Sequence, residues 1–204
     1  MGSFGTPLSP RLIKGGIVTM DPDTSVVLSV IPLQYNPDTL TRSLKAQAVG
    51  GEPDRSEILR VKGPPEEIIK CDVELDATDQ LAAADPVAIN LGIQPQLSAL
   101  ELLVYPSSGV LIANEILSLI GTVEILPMDS ALTVFAWSAQ RITPVRITDL
   151  EITEEFFDPQ LNPIRAKVSL SMRVLSVTDV GFLTPAGALY MAYQMGKESM
   201  AGQT

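Results

Sequence analysis

Residues 145–176 read VRITDLEITEEFFDPQLNPIRAKVSLSMRVLS and contain two apolar–polar alternations on either side of a proline-containing turn. From 164 to 174 every second residue is apolar, which is the period of a strand with one buried face. The first half changes phase, because Val145 and Ile147 follow one alternation and Leu150 follows the other. The stretch therefore predicts two strands that form an amphipathic antiparallel hairpin.

The phase change locates an irregularity in the first of these strands. One extra residue moves all later side chains to the opposite face, so a β-bulge is predicted near Thr148–Asp149. With that bulge and the loop 158–163, residues that face each other have matching character along the whole hairpin. The predicted pairs are Phe156–Ile164, Glu155–Arg165, Thr153–Lys167, Ile152–Val168, Leu150–Leu170, Ile147–Met172 and Val145–Val174.

Shorter patterns predict the other strands and helices. Further strands are expected at 17–20, 26–35, 69–76 and 133–141. Helices are expected at 79–84 with Thr78 as N-cap, at 97–104, and at 184–199 with Thr184 as N-cap and Pro185 as first helical residue. Pro32 lacks an amide hydrogen, which indicates an edge strand or a bulge. Together these elements predict an α+β fold that is mainly β.

Three segments have no regular alternation. Residues 1–15 are rich in Gly, Pro and Ser and predict a poorly ordered terminus, and 45–57 predict a mobile loop. Residues 107–130 are apolar without a clear amphipathic pattern, with a possible helix at 110–120 and a possible strand at 122–126. We treat 107–130 as an insertion that contacts a neighbour, either the spike or the next ring of the assembly that is named below.

The composition excludes several classes of function. The 204 residues include 14 basic and 24 acidic ones, and this net charge of −10 argues against binding nucleic acid or anionic lipid. The chain has no histidine, the commonest general base and a frequent metal ligand. No secretory signal or membrane-spanning segment is recognised, so a soluble intracellular protein is expected.

The candidates for chemistry have stronger structural explanations. Cys71 lies on the apolar side of a strand, and no histidine is available to activate it. Asp21 and Asp23 belong to an Asp-Pro turn, and Asp76 and Asp79 flank the start of a helix. No constellation supports catalysis, so we expect no enzyme, no metal and no cofactor.

The polar face of the hairpin is the candidate working surface. Arg146, Glu151, Arg165, Lys167 and Arg173 share one side of it. Three of them form a basic row on a chain that is acidic overall. We therefore predict that this face contacts a partner.

Several segments resemble the tube-protein family of contractile injection systems, the phage-tail-like particles of bacteria. They are VIPLQYNPDTL (30–40), GPP (63–65), DVELDATD (72–79), ALELLVYP (99–106), and the hairpin 147–174 with ITEEFFDP (152–159) and LNPIRA (161–166). Together they cover about residues 25–195, and their order makes the match fairly specific. The closest likeness is to the family members that join the inner tube to the central spike, but without the C-terminal LysM module that many of these carry.

The resemblance implies a single tube-like domain over residues 1–204, a tail-tube-like antiparallel β-barrel or sandwich with a few short helices and a C-terminal helix. It implies a non-enzymatic ring of six subunits that nucleates tube assembly. The expected partners are other copies of the chain, inner-tube proteins, the spike protein and other baseplate proteins. Assembly is expected in the cytoplasm, as part of a phage-tail-like particle.

Two other functions remain open from the sequence. One is a phage tail tube-initiator protein, which belongs to the same structural class. The other is a small-molecule-binding β-barrel, which should have a closed apolar cavity and no need of partners.

Overall fold

The computed structural model describes residues 14–47, 61–119 and 131–203. These residues form one antiparallel sheet of seven strands with six helices, which confirms the predicted α+β, mainly β fold. The strands are β1 Gly16–Met20, β2 Val27–Pro32, β3 Leu40–Lys45, β4 Glu66–Asp76, β5 Leu132–Ser138, β6 Arg141–Phe157 and β7 Pro163–Val174. The helices are α1 Thr78–Ala82, α2 Pro86–Leu91, α3 Gln94–Glu101, α4 Ser108–Leu119, α5 Val177–Val180 and α6 Pro185–Ala201.

The hairpin β6–β7 has the predicted register. Its hydrogen-bonded pairs include six of the seven predicted ones, from Val145–Val174 to Glu155–Arg165. The register shifts between Ile147 and Asp149, so the extra residue is Thr148 and the predicted bulge is confirmed. The seventh predicted pair contains Phe156, which lies between two paired positions but has a positive φ of 53° and an exposed side chain.

The sheet runs in the order β2-β1-β5-β6-β7-β4-β3. Gln34, just after β2, donates a hydrogen bond to the carbonyl of Asp76 at 2.5 Å and accepts one from the Asp76 amide at 2.9 Å. Because Asp76 ends β4, next to the opposite edge, these bonds bring the two sides of the sheet together. The sheet therefore wraps around its core like a partly open barrel.

The core fills the inside of this curve. Alternate residues of β4 and β7 are buried, as the sequence predicts for strands with one apolar face. Phe135 of β5, Leu97 and Leu100 of α3, and Tyr190 of α6 complete the same cluster. Each large apolar side chain buried in this way contributes about 1.5–3 kcal/mol.

The C-terminal helix begins as predicted. The Thr184 hydroxyl accepts a hydrogen bond from the Gly187 amide at 3.1 Å, and Pro185 is the first helical residue. The helix continues to Ala201. Pro32 ends β2, which is an edge strand, as its missing amide hydrogen indicates.

The sequence prediction was wrong about the start of α1. Thr78 is the first helical residue and not the cap, because the Asp76 carboxylate accepts the hydrogen bond from the Thr78 amide at 2.7 Å. The predicted strand 133–141 is two strands: β5 ends at Ser138 and Arg141 begins β6. The predicted helix 97–104 begins earlier and ends at Glu101.

Three elements were not predicted: β3, α2 and α5. Strand β3 pairs with β4 along its whole length. Helix α2 begins at Pro86, because the Asp85 carboxylate accepts hydrogen bonds from two amides of the first turn.

The expectations for 1–15 and 45–57 fall mostly outside the described residues, and the possible strand at 122–126 lies wholly outside them. The possible helix at 110–120 is confirmed as α4, as far as the described chain reaches.

Candidate interaction surfaces

The five residues of the predicted working surface lie on one face of the sheet. Arg146 is directly opposite Arg173, and Glu151 is opposite Ser169. Arg165 and Lys167 follow on the same side of β7, next to the outward-facing side chains of β4. The structure therefore brings the five together as a surface, which we call the hairpin face, whereas their role in an interface stays a prediction.

The hairpin face is not basic, contrary to the sequence expectation. Arg165 forms ion pairs with Glu74 and, at 4.0 Å, with Glu155. The Lys167 ammonium lies 3.0 Å from the same Glu155 carboxylate. Glu155 of β6 and Glu74 of β4 therefore neutralise Arg165 and Lys167, and the hairpin pattern alone does not reveal the carboxylate from β4.

Arg173 is also neutralised. Its guanidinium lies 2.6 Å from Asp179 and 3.8 Å from Glu66. Arg146 and Glu151, in contrast, are exposed and have no ion pair among the described residues. These two are therefore the members of the hairpin face with charge free for a partner.

An open groove of about 1150 Å³ crosses the hairpin face. Glu151 and Lys167 line it, together with Tyr35 and Asp38 from the connection between β2 and β3. Asp72 on its floor accepts a hydrogen bond from Ser169 at 2.7 Å. The groove thus joins part of the predicted surface to the chain between the two edge strands.

The outer edge of β2 is the most exposed part of the sheet. Val27, Leu28 and Val30 are 51%, 60% and 59% exposed, although successive strand residues point to opposite faces. From Val27 to Val30 neither face of the strand is covered, and no described strand pairs with its outer side. Natural proteins protect such edges, and an unprotected apolar one is a site for pairing with another chain.

Helix α4 forms a second apolar surface. None of its described side chains is buried, and Ile112, Ile116 and Leu119 are largely exposed. This helix is the described part of the predicted insertion 107–130. Its exposure is consistent with a segment that contacts a neighbour, which stays a prediction.

A buried polar cluster was missed by the sequence analysis. Glu67 of β4 is 3% exposed and accepts hydrogen bonds from Arg42 of β3 at 2.8 Å and from the Tyr193 hydroxyl at 3.1 Å. Arg42 also donates to the Tyr193 oxygen at 2.8 Å, and the Lys197 ammonium lies 3.2 Å from Glu67 and over the Tyr193 ring. We call this set the Glu67 cluster; it ties the edge strand β3 to α6.

Burial and charge determine the protonation of the Glu67 cluster. Burial alone would raise the pKa of Glu67, but the hydrogen bond from Arg42 and the charges of Lys197 and Arg42 hold it below its usual value. Burial and the neighbouring Glu67 carboxylate raise the pKa of Tyr193 to about 12. The cluster is therefore an ionised carboxylate held by two cations and a neutral phenol.

The other titratable candidates have the structural roles expected from the sequence. Cys71 is buried, and burial raises the pKa of its thiol to about 11, so the reactive thiolate is disfavoured. The Asp21 carboxylate accepts hydrogen bonds from the Asp23 and Thr24 amides of its own turn. Within the ranges that the structure describes, no three Cys, Asp or Glu residues are grouped as metal ligands.

Among the described residues, no helix has the length and apolar character needed to span a membrane. No protein-family model matches the chain, and no curated protein matches it. The functional assignment therefore rests on the sequence segments and on the surfaces described above.

Proposed function

We propose that the chain is a ring-forming structural subunit of a contractile injection system baseplate. In this role it is the adaptor that joins the inner tube to the central spike and nucleates tube assembly. The observation that carries the proposal is that the sheet ends in two edges, β2 and β3, with which no other strand of the described residues pairs. Edge β2 is apolar and exposed, as a strand that pairs with another subunit must be.

Two different edges favour a ring over a symmetric dimer. When β2 of one copy pairs with β3 of the next, the two surfaces in contact differ, and each copy keeps one free edge of each kind. Such a heterologous contact repeats until the rotation closes into a ring. We propose six copies, as the resemblance to tube proteins implies.

One of the segments that carry the resemblance lies between these two edges. Residues 30–40 run from the end of β2 to the start of β3, so they connect the two edges. Residues 152–159 cover the end of β6 and the start of the following turn, and 161–166 lead from that turn into β7; both strands lie inside the sheet. The proposed partners are other copies of the chain, inner-tube proteins, the spike and other baseplate proteins, assembled in the cytoplasm. A phage tail tube-initiator is the nearest alternative.

One observation favours the small-molecule alternative. A cleft of about 510 Å³ lies between β2 and α3. The amide oxygens of Gln80 and Gln96, whose side chains line it, are buried without a hydrogen-bond donor among the described residues. A ligand with an apolar body and N–H or O–H donors would satisfy them. The cleft is open, however, whereas a barrel that binds small molecules should enclose its cavity.

The decisive experiment recovers the protein with its natural partners. A tagged chain is pulled down from its native host, and the sedimented eluate is imaged by negative-stain microscopy. Rod-shaped sheathed particles with the tag at one end are the expected result. A small monodisperse species without partners would refute the adaptor role, and mass spectrometry of that species for a bound ligand would then test the alternative.

A further inference from the structure

Edge strand β3 is held in place by few contacts of its own. Among the described strands it pairs with β4 alone, over the six residues Leu40–Lys45, and none of its six side chains is buried. Parts of a fold with few buried contacts open locally before the rest does. If β3 pairs with another copy, it has to stay ordered while its outer side is free. The contacts of its inner side therefore decide whether this edge is available.

Arg42 makes the polar contact of this inner side. It reaches diagonally across the strand pair to Glu67, which lies opposite Leu44, and its Nε donates a hydrogen bond to the Glu67 carboxylate at 2.8 Å. Diagonal neighbours in a sheet are about 7–8 Å apart, a distance that a long side chain bridges. Leu40 packs against the core at the beginning of the strand, whereas Leu44 is 53% exposed. The ion pair of Arg42 therefore fastens the second half of β3.

The Glu67 cluster extends this attachment to the C-terminal helix. The Tyr193 hydroxyl accepts a hydrogen bond from Arg42 at 2.8 Å and donates one to Glu67 at 3.1 Å. The Lys197 ammonium donates to the other oxygen of the Glu67 carboxylate at 3.2 Å. Tyr193 and Lys197 lie about one turn apart on α6. The order of an edge strand thus depends on a helix that is not part of the sheet.

These contacts depend on one another. Tyr193 provides one of the two acceptors of the Arg42 guanidinium, and Lys197 holds the carboxylate that provides the other. Groups in a buried hydrogen-bond network strengthen one another, so the loss of one weakens those that remain. Because Glu67 is only 3% exposed, water does not readily replace a lost donor. A change on α6 should therefore reach β3 through Glu67 and Arg42.

We propose that the Glu67 cluster couples α6 to β3 and keeps this edge strand ordered for pairing with the next copy. The inference rests on the proposed function, because it takes β3 to be half of the contact between copies. A strand that is ordered in advance loses less entropy when another strand pairs with it. When the cluster is broken, β3 opens while the rest of the sheet stays folded.

Hydrogen exchange measured by mass spectrometry tests the coupling. All proteins carry Val30→Lys, which opposes pairing at β2, so that no neighbour covers β3. The helix variant adds Tyr193→Phe and Lys197→Met, which keep the aromatic ring and the aliphatic stem but remove both contacts from α6. We expect the amides of residues 40–45 to exchange about tenfold faster or more, although neither added substitution lies on β3. The amides of β7 should exchange as in the parent.

Three further variants in the same background locate the effect. Arg42→Met removes the contact on β3 itself and should speed exchange at least as much as the helix variant. Gln194→Met lies on α6 and removes an exposed hydrogen bond to Glu198, outside the cluster. Arg165→Met removes an arginine that pairs with Glu74 on the outer face of β4. Neither of these last two should change the exchange of residues 40–45.

The exchange results decide the coupling. It is overturned if residues 40–45 are as protected in the helix variant as in its parent. It is also overturned if Gln194→Met or Arg165→Met exposes them equally, because the effect would then not belong to the cluster.

Sedimentation velocity with the native Val30 edge judges the proposed function separately. The concentration that the helix variant needs for rings should rise by the factor by which the ordered fraction of β3 falls. A wild type without rings would refute the ring, and exchange would still decide whether α6 orders β3. Rings at unchanged concentration with β3 mainly open would refute β3 as half of the contact. Wild-type rings with unchanged exchange in the helix variant would refute the coupling alone.

Discussion

Glu67 is the charged residue whose loss should affect stability most. Glu67→Gln leaves the Arg42 and Lys197 charges without their counter-ion next to the core. Breaking a buried ion pair costs about 3–5 kcal/mol. Because the two cations remain about a quarter exposed, we expect the free energy of unfolding to fall by about 2–3 kcal/mol. Urea denaturation measures this loss.

The neighbouring residue provides the control for that prediction. Glu66 lies on the outer side of the same strand, 3.8 Å from Arg173. An exposed pair of this kind contributes about 0–1 kcal/mol, so Glu66→Gln should have little effect. Equal losses for the two variants would contradict the assignment of Glu67 as the centre of the cluster.

The contribution of Glu67 should depend on pH. Its pKa in the folded chain lies below the ordinary 4.5, so the stability it provides is present above pH 4.5 and is lost as the pH falls through the folded pKa. We expect the wild type and Glu67→Gln to differ at neutral pH and to converge below pH 4.5. Denaturation at a series of pH values tests this, and a difference that persists at the lowest pH would show that the charge of Glu67 is not its cause.

Sequence patterns contain part of the signal for Glu67. It has the same phase as Ile69 and Cys71, so the alternation of β4 predicts an inward-facing carboxylate. Its partners Arg42 and Lys197 are 25 and 130 positions away, and no local pattern connects them to it. An inward-facing acid was therefore within reach of prediction, whereas the cluster was not.

Gly92 joins α2 to α3 and fits against the hairpin. It has a φ of +56°, and an added Cβ would lie 2.1 Å from the Pro163 carbonyl oxygen. Gly92→Ala should therefore lower the free energy of unfolding by about 2–4 kcal/mol, through both backbone strain and a backbone clash. Thermal and urea unfolding measure the change.

A glycine-to-alanine substitution at Gly109 is the control for Gly92→Ala. Gly109 lies in the first turn of α4, with no atom within 4 Å of an added Cβ. Gly109→Ala should stabilise the chain slightly, by less than about 1 kcal/mol, because alanine favours the helix. If Gly92→Ala were equally harmless, the contact between Gly92 and Pro163 would not hold the helices to the hairpin.

Elements whose pattern lies within one continuous stretch of sequence were predicted, whereas elements that depend on a distant strand or on a capping residue were not. The register of the hairpin β6–β7 was predictable, except at Phe156, because its apolar phase, its charge pairs and its bulge all lie within one continuous stretch. Strand β3 has an irregular pattern and is a strand because β4 pairs with it. Helix α2 depends on the cap from Asp85, and the proline after Asp85 is both a helix breaker and a good first helical residue.

At the scale of the whole molecule, the sheet order was not predictable. Strand β1 lies between β2, its neighbour in sequence, and β5, which is far from it in sequence. No alternation in either strand specifies that contact. The identity of the free edges follows from this order, apart from the indication that Pro32 gives for β2. The edge strands that carry the proposed function could therefore be identified only from the folded sheet and not from the sequence.

The edge strand provides the sharpest test of assembly. Val30→Lys places an ammonium group on β2, where a pairing strand from the next copy would have to bury it. We expect rings to be lost in negative-stain images and in sedimentation velocity. The free energy of unfolding should stay within about 0.5 kcal/mol of the wild type, because Val30 is largely exposed in the single chain.

Lysine substitutions at other exposed positions show whether the rings are lost because edge pairing is blocked or because a charge has been added. Ile89→Lys on α2 adds lysine at a similarly exposed position and should leave rings intact. Leu44→Lys on β3 should abolish them, because β3 supplies the other half of the proposed contact and Leu44 is largely exposed. Rings that survive both edge variants would exclude edge pairing. Rings that survive Leu44→Lys but not Val30→Lys would mean that β2 pairs with a surface other than β3.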